Sequence, residues 1–305
     1  MKMDYTNANH HPSCSRGMVP TTHLHLIAFL AVTVLAGLGT PALADLKAGQ
    51  AAFDRHDYAT ALAELLPSAE QGDTSAQFQV GWIYLDTNLQ NYNKAIKWLQ
   101  LAADKGHANA QFDIALTYHF GRGRTVDIKQ AAHWYLLAAE QGIAEAQLNV
   151  GMLYDDGNGV TQDFAEAAKW YRLAATNKYA EHGHAVAQYN LGALYYKGLG
   201  VPQNLTEAAK WFQLAADRGY AEAQYNLGSW YYTGTVVEQD YVRAYMWFSL
   251  ARRSALITSP PVVPPVPSDV AAKSKKWCDI ITGKMSPAEL TEAKRLAATW
   301  KPARD

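Results

Sequence analysis

The chain has 305 residues, of which 49% are apolar and 18% are charged, and its formal net charge is −1. This composition is typical of a folded protein and excludes a disordered chain. The near-neutral charge excludes a global basic field, so we expect no nucleic-acid partner.

The first 44 residues predict a cleaved secretory leader. A largely apolar run, Leu26–Leu38, is followed by Pro41 and by the small-x-small sequence Ala42-Leu43-Ala44. The run is too short to span a membrane, and the sequence after it is typical of a signal-peptide cleavage site. We therefore expect cleavage near Ala44, a periplasmic or secreted mature chain and no stable membrane span. An uncleaved N-terminal anchor is the alternative, and Met18 is an alternative start.

Residues 45–72 predict a degenerate N-terminal capping hairpin. The sequence Asp57–Ala61 aligns with Asn91–Ala95 at an interval of 34 residues, but Glu64 stands where the later copies carry Trp. A terminal unit with a more polar outer face is typical of a repeat array, because its outer side has no neighbour to pack against.

Residues 73–254 carry five copies of one repeat. The sequence Ala-x-Ala-Gln, with Thr in the first position once, recurs at intervals of 34, 36, 41 and 36 residues, and a Trp follows every copy. Five of the nine tryptophans therefore share one repeat position. The repeat glutamines are Gln77, Gln111, Gln147, Gln188 and Gln224, and the repeat tryptophans are Trp98, Trp134, Trp170, Trp211 and Trp247.

Each copy predicts two amphipathic helices joined as a hairpin. A Tyr follows the Gln by seven residues, a Gly or Ala follows it by four, and an Ala precedes the Trp by three. These spacings place the residues on one face of an α-helix. Pairs such as Gly157-x-Gly159 separate the helices, and Asp163 is an N-cap residue for the second helix. One hairpin leaves an apolar face uncovered, so neighbouring hairpins must stack.

The array resembles the Sel-one-like repeat family, a relative of the tetratricopeptide repeats. The resemblance rests on copies such as Ala144–Ala175 and Ala185–Ala216, and it covers residues 46–254. It implies an all-α fold, a right-handed α-solenoid of tandem helix-hairpin repeats with N- and C-terminal capping helices. It also implies a scaffold or adaptor that holds another protein or peptide in a concave groove. Bacterial members are often exported and tied to envelope, polysaccharide or signalling systems.

Three segments depart from the repeat. Residues 176–184 contain a five-residue insertion, which is either a tolerated surface loop or a local partner contact through Tyr179 and His182. Residues 255–268 form a Pro-rich loop that we expect to be extended. Residues 269–305 predict C-terminal capping helices, the last of which begins at a capping box, Ser286–Glu289.

The sequence lacks the common catalytic and metal-binding motifs. His-Glu-x-x-His, Gly-x-Ser-x-Gly and Gly-x-x-x-x-Gly-Lys are absent, and no Ser is followed by Lys three residues later. Of the ten histidines, His182 and His184 are close together in the mature chain, but further Cys or His ligands are missing nearby. We therefore expect a protein that is not an enzyme and has neither a cofactor nor a metal site.

A polar column is the predicted partner-binding surface. The residue two positions after each repeat Gln is polar, although Asn and Asp are poor residues for a helix interior. Two explanations are equally open: side-chain hydrogen bonds between units, or a ladder for an extended peptide or glycan. The column consists of Gln79, Asp113, Asn149, Asn190 and Asn226, and a nearby stripe contains Trp82, Phe120, Asp156 and Lys197.

These observations predict an exported, periplasmic protein-protein interaction scaffold or adaptor that serves envelope, polysaccharide or signalling machinery. Two alternatives belong to other classes of protein. One is a cell-wall-associated hydrolase with β-lactamase-like activity, and the other is a peptidoglycan- or glycan-binding module.

Overall fold

The structure, a computed structural model, describes residues 46–86, 89–177, 183–255 and 268–303. These residues form fourteen α-helices and no strand, which confirms the predicted all-α solenoid. The helices are α1 (Leu46–Asp54), α2 (Tyr58–Glu70), α3 (Thr74–Asp86), α4 (Tyr92–Asp104), α5 (Ala108–Phe120), α6 (Ile128–Glu140), α7 (Ala144–Asp156), α8 (Phe164–Ala175), α9 (Gly183–Lys197), α10 (Leu205–Asp217), α11 (Ala221–Thr233), α12 (Tyr241–Ser254), α13 (Ser268–Thr282) and α14 (Pro287–Thr299).

The helices stack in chain order. The hairpin α1–α2 precedes five repeat units, α3–α4, α5–α6, α7–α8, α9–α10 and α11–α12, and each helix from α1 to α12 packs against the next one along the chain. First helices of successive units also touch, as α9 does with α7. Each unit therefore completes the core of its neighbour, as expected for a solenoid.

Helix ends follow the repeat sequence. The side chains of Asp127, Asp163 and Asp240 cap the second helices by accepting a hydrogen bond from a backbone N–H in the first turn, at 2.9–3.1 Å. Glycines end first helices in the left-handed conformation, for example Gly121 with a φ of 66°. Because both signals recur in successive units, most hairpins turn in the same way.

The small residue four positions after the repeat Gln lets the two helices of a hairpin approach closely. A Cβ atom on Gly151 would lie 2.6 Å from the ring of Tyr171, and one on Gly192 would lie 2.8 Å from the ring of Phe212. The exposed fractions of Tyr171 and Phe212 are 1% and 0%. At Gly151 and Gly192, an aromatic ring on the facing helix therefore occupies the space that a larger side chain would need.

The buried repeat glutamines join each unit to the unit before it. Each side-chain amide donates a hydrogen bond to a backbone carbonyl in the last turn of the preceding second helix, where carbonyls lack intrahelical donors. The pairs are Gln77 Nε2 to Ala69 O (3.0 Å), Gln111 to Ala103 (3.2 Å), Gln147 to Ala139 (3.2 Å), Gln188 to Ala175 (3.3 Å) and Gln224 to Ala216 (3.0 Å).

Two of these glutamines also join the two helices of their own unit. Gln111 Oε1 accepts a hydrogen bond of 2.7 Å from Gln141 at the end of α6, and Gln147 Oε1 accepts one of 3.2 Å from Asn177 after α8. The amide thus has partners on both sides, which makes its loss costly inside a buried site.

Two helices cover the last unit. Helix α13 packs against α12 and α11, the position that the first helix of a further unit would take, and its Trp277 donates a hydrogen bond of 3.1 Å to the Tyr225 hydroxyl. Helix α14 begins at the capping box of Ser286 and Glu289 and packs against α12.

The C-terminal cap places two carboxyl groups near each other. Glu222 lies in the first turn of α11, and one of its carboxyl oxygens is buried without a hydrogen-bond partner among the described residues. Burial, reinforced by the carboxylate of Asp269 in α13, raises the pKa of Glu222 to about 7. Below about pH 7 the native chain therefore favours the protonated form of Glu222.

Replacement of Gln111 by Ala tests the link between units. The substitution leaves the Ala103 carbonyl and the Gln141 amide without this partner, so the free energy of unfolding should fall by about 1–3 kcal/mol. Chemical denaturation measures this change. The exposed Gln130 on α6 supplies the control, and Gln130→Ala should change the free energy by less than about 0.5 kcal/mol. Equal effects of the two substitutions would contradict the proposed role of Gln111.

A pH series tests the buried carboxyl group of Glu222. Between the ordinary pKa of 4.5 and about 7, the native chain binds more protons here than the unfolded chain, so this group lowers stability as pH rises. The Glu222→Gln variant should therefore be more stable than the wild type at pH 8 and differ little from it at pH 4. Urea denaturation at both values measures the difference, and a difference that is the same at both would contradict this account.

Candidate functional site

An open groove of about 900 Å³ lies along the first helices of the first three units. Helices α3, α5 and α7 form its floor, and the α6–α7 loop and the end of α8 form its rim. The lining consists of Phe78, Trp82, Asn109, Phe112, Asp113, Gln141, Gly142, Ile143, Ala144, Glu145, Gln147, Leu173, Thr176 and Asn177.

Two aromatic residues of the groove directly follow a repeat Gln. The residue after the Gln lies about 100° further around the helix from a side chain that is fixed against the preceding unit. Phe78 and Phe112 hold this position. Phe78 stacks on His107, with 4.4 Å between ring centroids, and Phe112 lies 5.8 Å from the ring of Tyr135.

His107 has a second contact that fixes its ring. It is the N-cap of α5, where its Nδ1 accepts a hydrogen bond of 3.3 Å from the backbone N–H of Ala110. Partial burial lowers the pKa of His107, which favours the neutral form that can accept this bond.

Neighbouring rings also hold the third aromatic residue of the groove. Trp82 on α3 lies 5.3 Å from the ring of Phe53 and 5.9 Å from the ring of Tyr58, both contributed by the N-terminal hairpin. The N-terminal hairpin α1–α2 therefore supports one side of the groove. A partner would meet aromatic surfaces that are already in place, which reduces the entropy lost on binding.

The groove is acidic. The charged side chains among its described lining residues are the carboxylates of Asp113 on α5 and Glu145 on α7. At the rim, Asn177 donates a hydrogen bond of 2.9 Å to the Gly142 carbonyl, which ties the end of α8 to the α6–α7 loop. The lining therefore offers fixed apolar surface, two negative charges and amide groups. Binding sites typically combine apolar surface with a few polar groups that orient the ligand.

The members of the predicted polar column differ in burial and in contacts. Asp113 lines the groove, whereas Gln79 and Asn226 are buried, with exposed fractions of 7% and 5%. Gln79 donates a hydrogen bond to Gln50 of α1, and Asn226 interacts with the Tyr189 hydroxyl of the preceding first helix. These contacts between units favour the structural explanation for both residues.

The remaining two members of the column contact their own helix or the preceding unit. Asn149 is partly buried and donates a hydrogen bond of 2.7 Å to the Glu145 carbonyl within α7. Asn190 is partly buried and interacts with the hydroxyl of Tyr171 on α8 of the preceding unit, which favours the structural explanation for this residue as well. Neither residue lines the groove.

The residues of the predicted stripe also differ in their surroundings. Trp82 lies in the groove, but Phe120, Asp156 and Lys197 are exposed at the ends of three first helices. Phe120 stacks on His119, with 4.6 Å between centroids, and its exposed fraction is 52%. Tyr179 and His182 lie outside the described residues.

Sequence reasoning did not single out several groove residues. Phe78 and Phe112 could have been predicted from the sequence, because each is an apolar residue directly beside a member of the polar column. Glu145 occupies a position that varies between units and carried no signal of its own. Leu173 is a repeat Leu, and its exposed fraction of 43% depends on stacking that one hairpin does not reveal.

The described residues provide neither a cluster of metal ligands nor a helix that could span a membrane. Within them, no group of three or more His, Cys, Asp or Glu side chains is arranged to hold a metal ion. No helix in the same set is both long enough and apolar enough to cross a membrane.

Comparison with known proteins identifies the repeat. The Sel1 repeat family model matches residues 74–107, 108–143, 144–179, 185–220 and 221–254, which together are more than half of the chain. Each match begins at the start of a first helix, except the fourth, which begins two residues into α9. The family boundaries thus coincide with the structural units.

Two solved bacterial structures share the fold. A protective antigen of uropathogenic Escherichia coli strains, described as displaying an SLR fold, is 30% identical with a TM-score of 0.67, and the alignment covers 84% of this chain and 52% of that one. A Sel1 repeat protein from Oxalobacter formigenes is 27% identical with a TM-score of 0.62, covering 78% of this chain and 96% of that one.

A eukaryotic protein shares part of the repeat sequence. An F-box protein of Arabidopsis thaliana is 34% identical over 80 residues, which are 26% of this chain and 23% of that protein. The chain thus matches less than a quarter of the plant protein and about half of the Escherichia coli structure. The family matches and the solenoid structures show that the chain belongs to the Sel1 repeat family, whose repeats are generally protein–protein interaction modules on a typically non-enzymatic scaffold.

Proposed function

We propose that this chain is an exported, periplasmic scaffold that binds a segment of another protein in the groove of α3, α5 and α7, without catalysing a reaction. The observation that carries the proposal is the fixed set of aromatic rings, Phe78, Trp82 and Phe112, lining an open groove. Large rigid aromatic side chains in a concave surface are typical of the few residues that dominate binding energy.

The charge of the groove defines the partner further. Asp113 and Glu145 are both negative, and they lie within the same lining as the aromatic residues. A segment that combines Lys or Arg with apolar side chains complements this surface, and complementary charge speeds association and selects the partner. The machinery served would belong to the envelope, to polysaccharide export or to signalling.

A random peptide library displayed on phage and selected on the mature chain tests the groove. Selected peptides should be rich in aromatic and basic residues. Their affinity should fall by about tenfold or more in the double variant Asp113→Lys, Glu145→Lys, because each substitution replaces attraction by repulsion. Fluorescence anisotropy measures the affinity.

The control variant carries the same change of charge elsewhere. Glu70 and Asp104 are exposed and do not line the groove, so Glu70→Lys with Asp104→Lys should leave peptide affinity within about twofold. Equal losses in both double variants would reject the groove as the binding site. Co-sedimentation with purified peptidoglycan, or turnover of a β-lactam, would favour the alternative functions instead.

N-terminal sequencing of periplasmic material tests the proposed export and cleavage of the leader. The full chain is expressed with its leader in a Gram-negative host, and the N-terminus of the periplasmic material is sequenced. We expect a mature chain that begins at Asp45, because Ala42 and Ala44 supply the small residues of a cleavage site. Ala44→Arg should block cleavage. Periplasmic material that retains Leu26–Leu38 would contradict the proposal of a cleaved leader.

A further inference from the structure

The end of helix α14 is docked against the fifth unit. A Cβ atom added to Gly219 would lie 3.9 Å from the Trp300 ring, and the Arg253 guanidinium lies 5.7 Å from the ring centroid. Arg253 also donates a hydrogen bond of 3.3 Å to the Ala297 carbonyl. Trp300 packs against the core cluster that contains Leu250, which is exposed by 1%. We call Gly219, Leu250, Arg253 and Ser254 the C-terminal seat.

The repeat places an equivalent set of residues in the third unit. The counterparts of the C-terminal seat, each 77 residues earlier in the chain, are Gly142, Leu173, Thr176 and Asn177. All four line the open groove. We call them the third-unit seat. Leu173 is 43% exposed, whereas Leu250, its counterpart under the C-terminal cap, is fully packed.

Helix α14 explains why Leu250 is buried whereas Leu173 is exposed. Leu101 and Leu214 occupy the same repeat position and are 38% and 42% exposed, although a following first helix packs against each of their helices. In these two units a following first helix therefore leaves the leucine exposed. Helix α12 is contacted by α13 in that position and additionally by α14, so α14 accounts for the burial of Leu250.

We propose that the third-unit seat receives the C-terminal end of a partner's α-helix bearing an aromatic side chain, as the C-terminal seat receives Trp300. The inference rests on the proposed function and deepens it by naming the kind of segment that binds. Docking of a helix into a groove through a few anchor side chains is a common mode of peptide recognition. In this chain, the end of α14 with Trp300 is an example of such a segment, bound at the C-terminal seat.

The two seats differ in charge, and this difference specifies the partner further. In the C-terminal seat, Arg253 provides the cation beside the aromatic ring and beside the Ala297 carbonyl in the last turn of α14. In the third-unit seat Thr176 replaces it, and the groove adds Asp113 and Glu145. A segment that binds there must bring its own cation, so we assign a Lys or Arg next to the aromatic residue.

The chain's own C-terminal segment has the required chemistry and serves as the probe. Its apolar face consists of Leu290, Ala293, Leu296 and Trp300, and Lys301 directly follows the aromatic residue. The probe is a fluorescently labelled synthetic peptide with the sequence of residues 286–303. In the full mature chain the C-terminal seat is already filled by α14, which leaves the third-unit seat for the peptide.

Fluorescence anisotropy of this peptide with the mature chain tests the proposal. We expect saturable binding that weakens by about tenfold or more when the chain carries Leu173→Lys, and by a similar factor when the peptide carries Trp300→Ala. Leu214→Lys is the matched control, since Leu214 is equally exposed at the same repeat position but does not line the groove. It should leave the affinity unchanged, and circular dichroism should show that both variants are folded.

Three results would overturn the proposal. Absence of saturable binding would do so, as would equal weakening by Leu173→Lys and Leu214→Lys, or a Trp300→Ala peptide that binds as well as the original. Dimerisation of the wild-type chain that Leu173→Lys abolishes would assign the seat to a second copy and overturn the assignment to a partner protein. Library peptides that need Asp113 and Glu145 but lack a helix-forming aromatic segment would preserve the proposed function while this inference fails.

Discussion

One hydrogen bond, from the amide of each repeat Gln to the last turn of the preceding second helix, sets how successive units stack. It is made in all five units, and at Gln188 it spans the five-residue insertion without a change in acceptor position. The residue after this side chain lines the groove in the first two units, whereas in later units it packs in the core, as Leu148 and Tyr189 do. Phe78 and Phe112 each follow such a Gln directly, so in these two units the contact between units and the binding surface lie side by side on one helix.

The fold was predictable because its determinants recur. Spacings of three, four and seven residues, repeated five times, leave little freedom in helix positions, and the small residue at Gly151 or Gly192 indicates where the helices meet. The site was predictable only in part. Asp113 and Trp82 line the groove, but Leu173 and Leu250 are indistinguishable in sequence and differ in exposure only because α14 covers one of them.

The polar column shows how one sequence pattern can have mixed causes. Gln79 and Asn226 make contacts between units, and Asp113 faces the groove, although all three hold the same repeat position. Repeat position fixes the direction of a side chain, but the helices stacked around it decide whether that side chain is buried. The chain ends differ accordingly: the N-terminal hairpin supports the groove through Trp82, whereas the C-terminal helices close the other end of the array.

Hydrogen exchange of the glutamine side-chain amides, measured by nuclear magnetic resonance, tests the central interaction most directly. The account predicts slow exchange for the side-chain NH₂ groups of the repeat glutamines, including Gln188 beyond the insertion, because each is buried and donates to a backbone carbonyl. Gln130, exposed on α6, provides the fast reference in the same spectrum. Exchange of the repeat glutamines as fast as that of Gln130 would contradict the account.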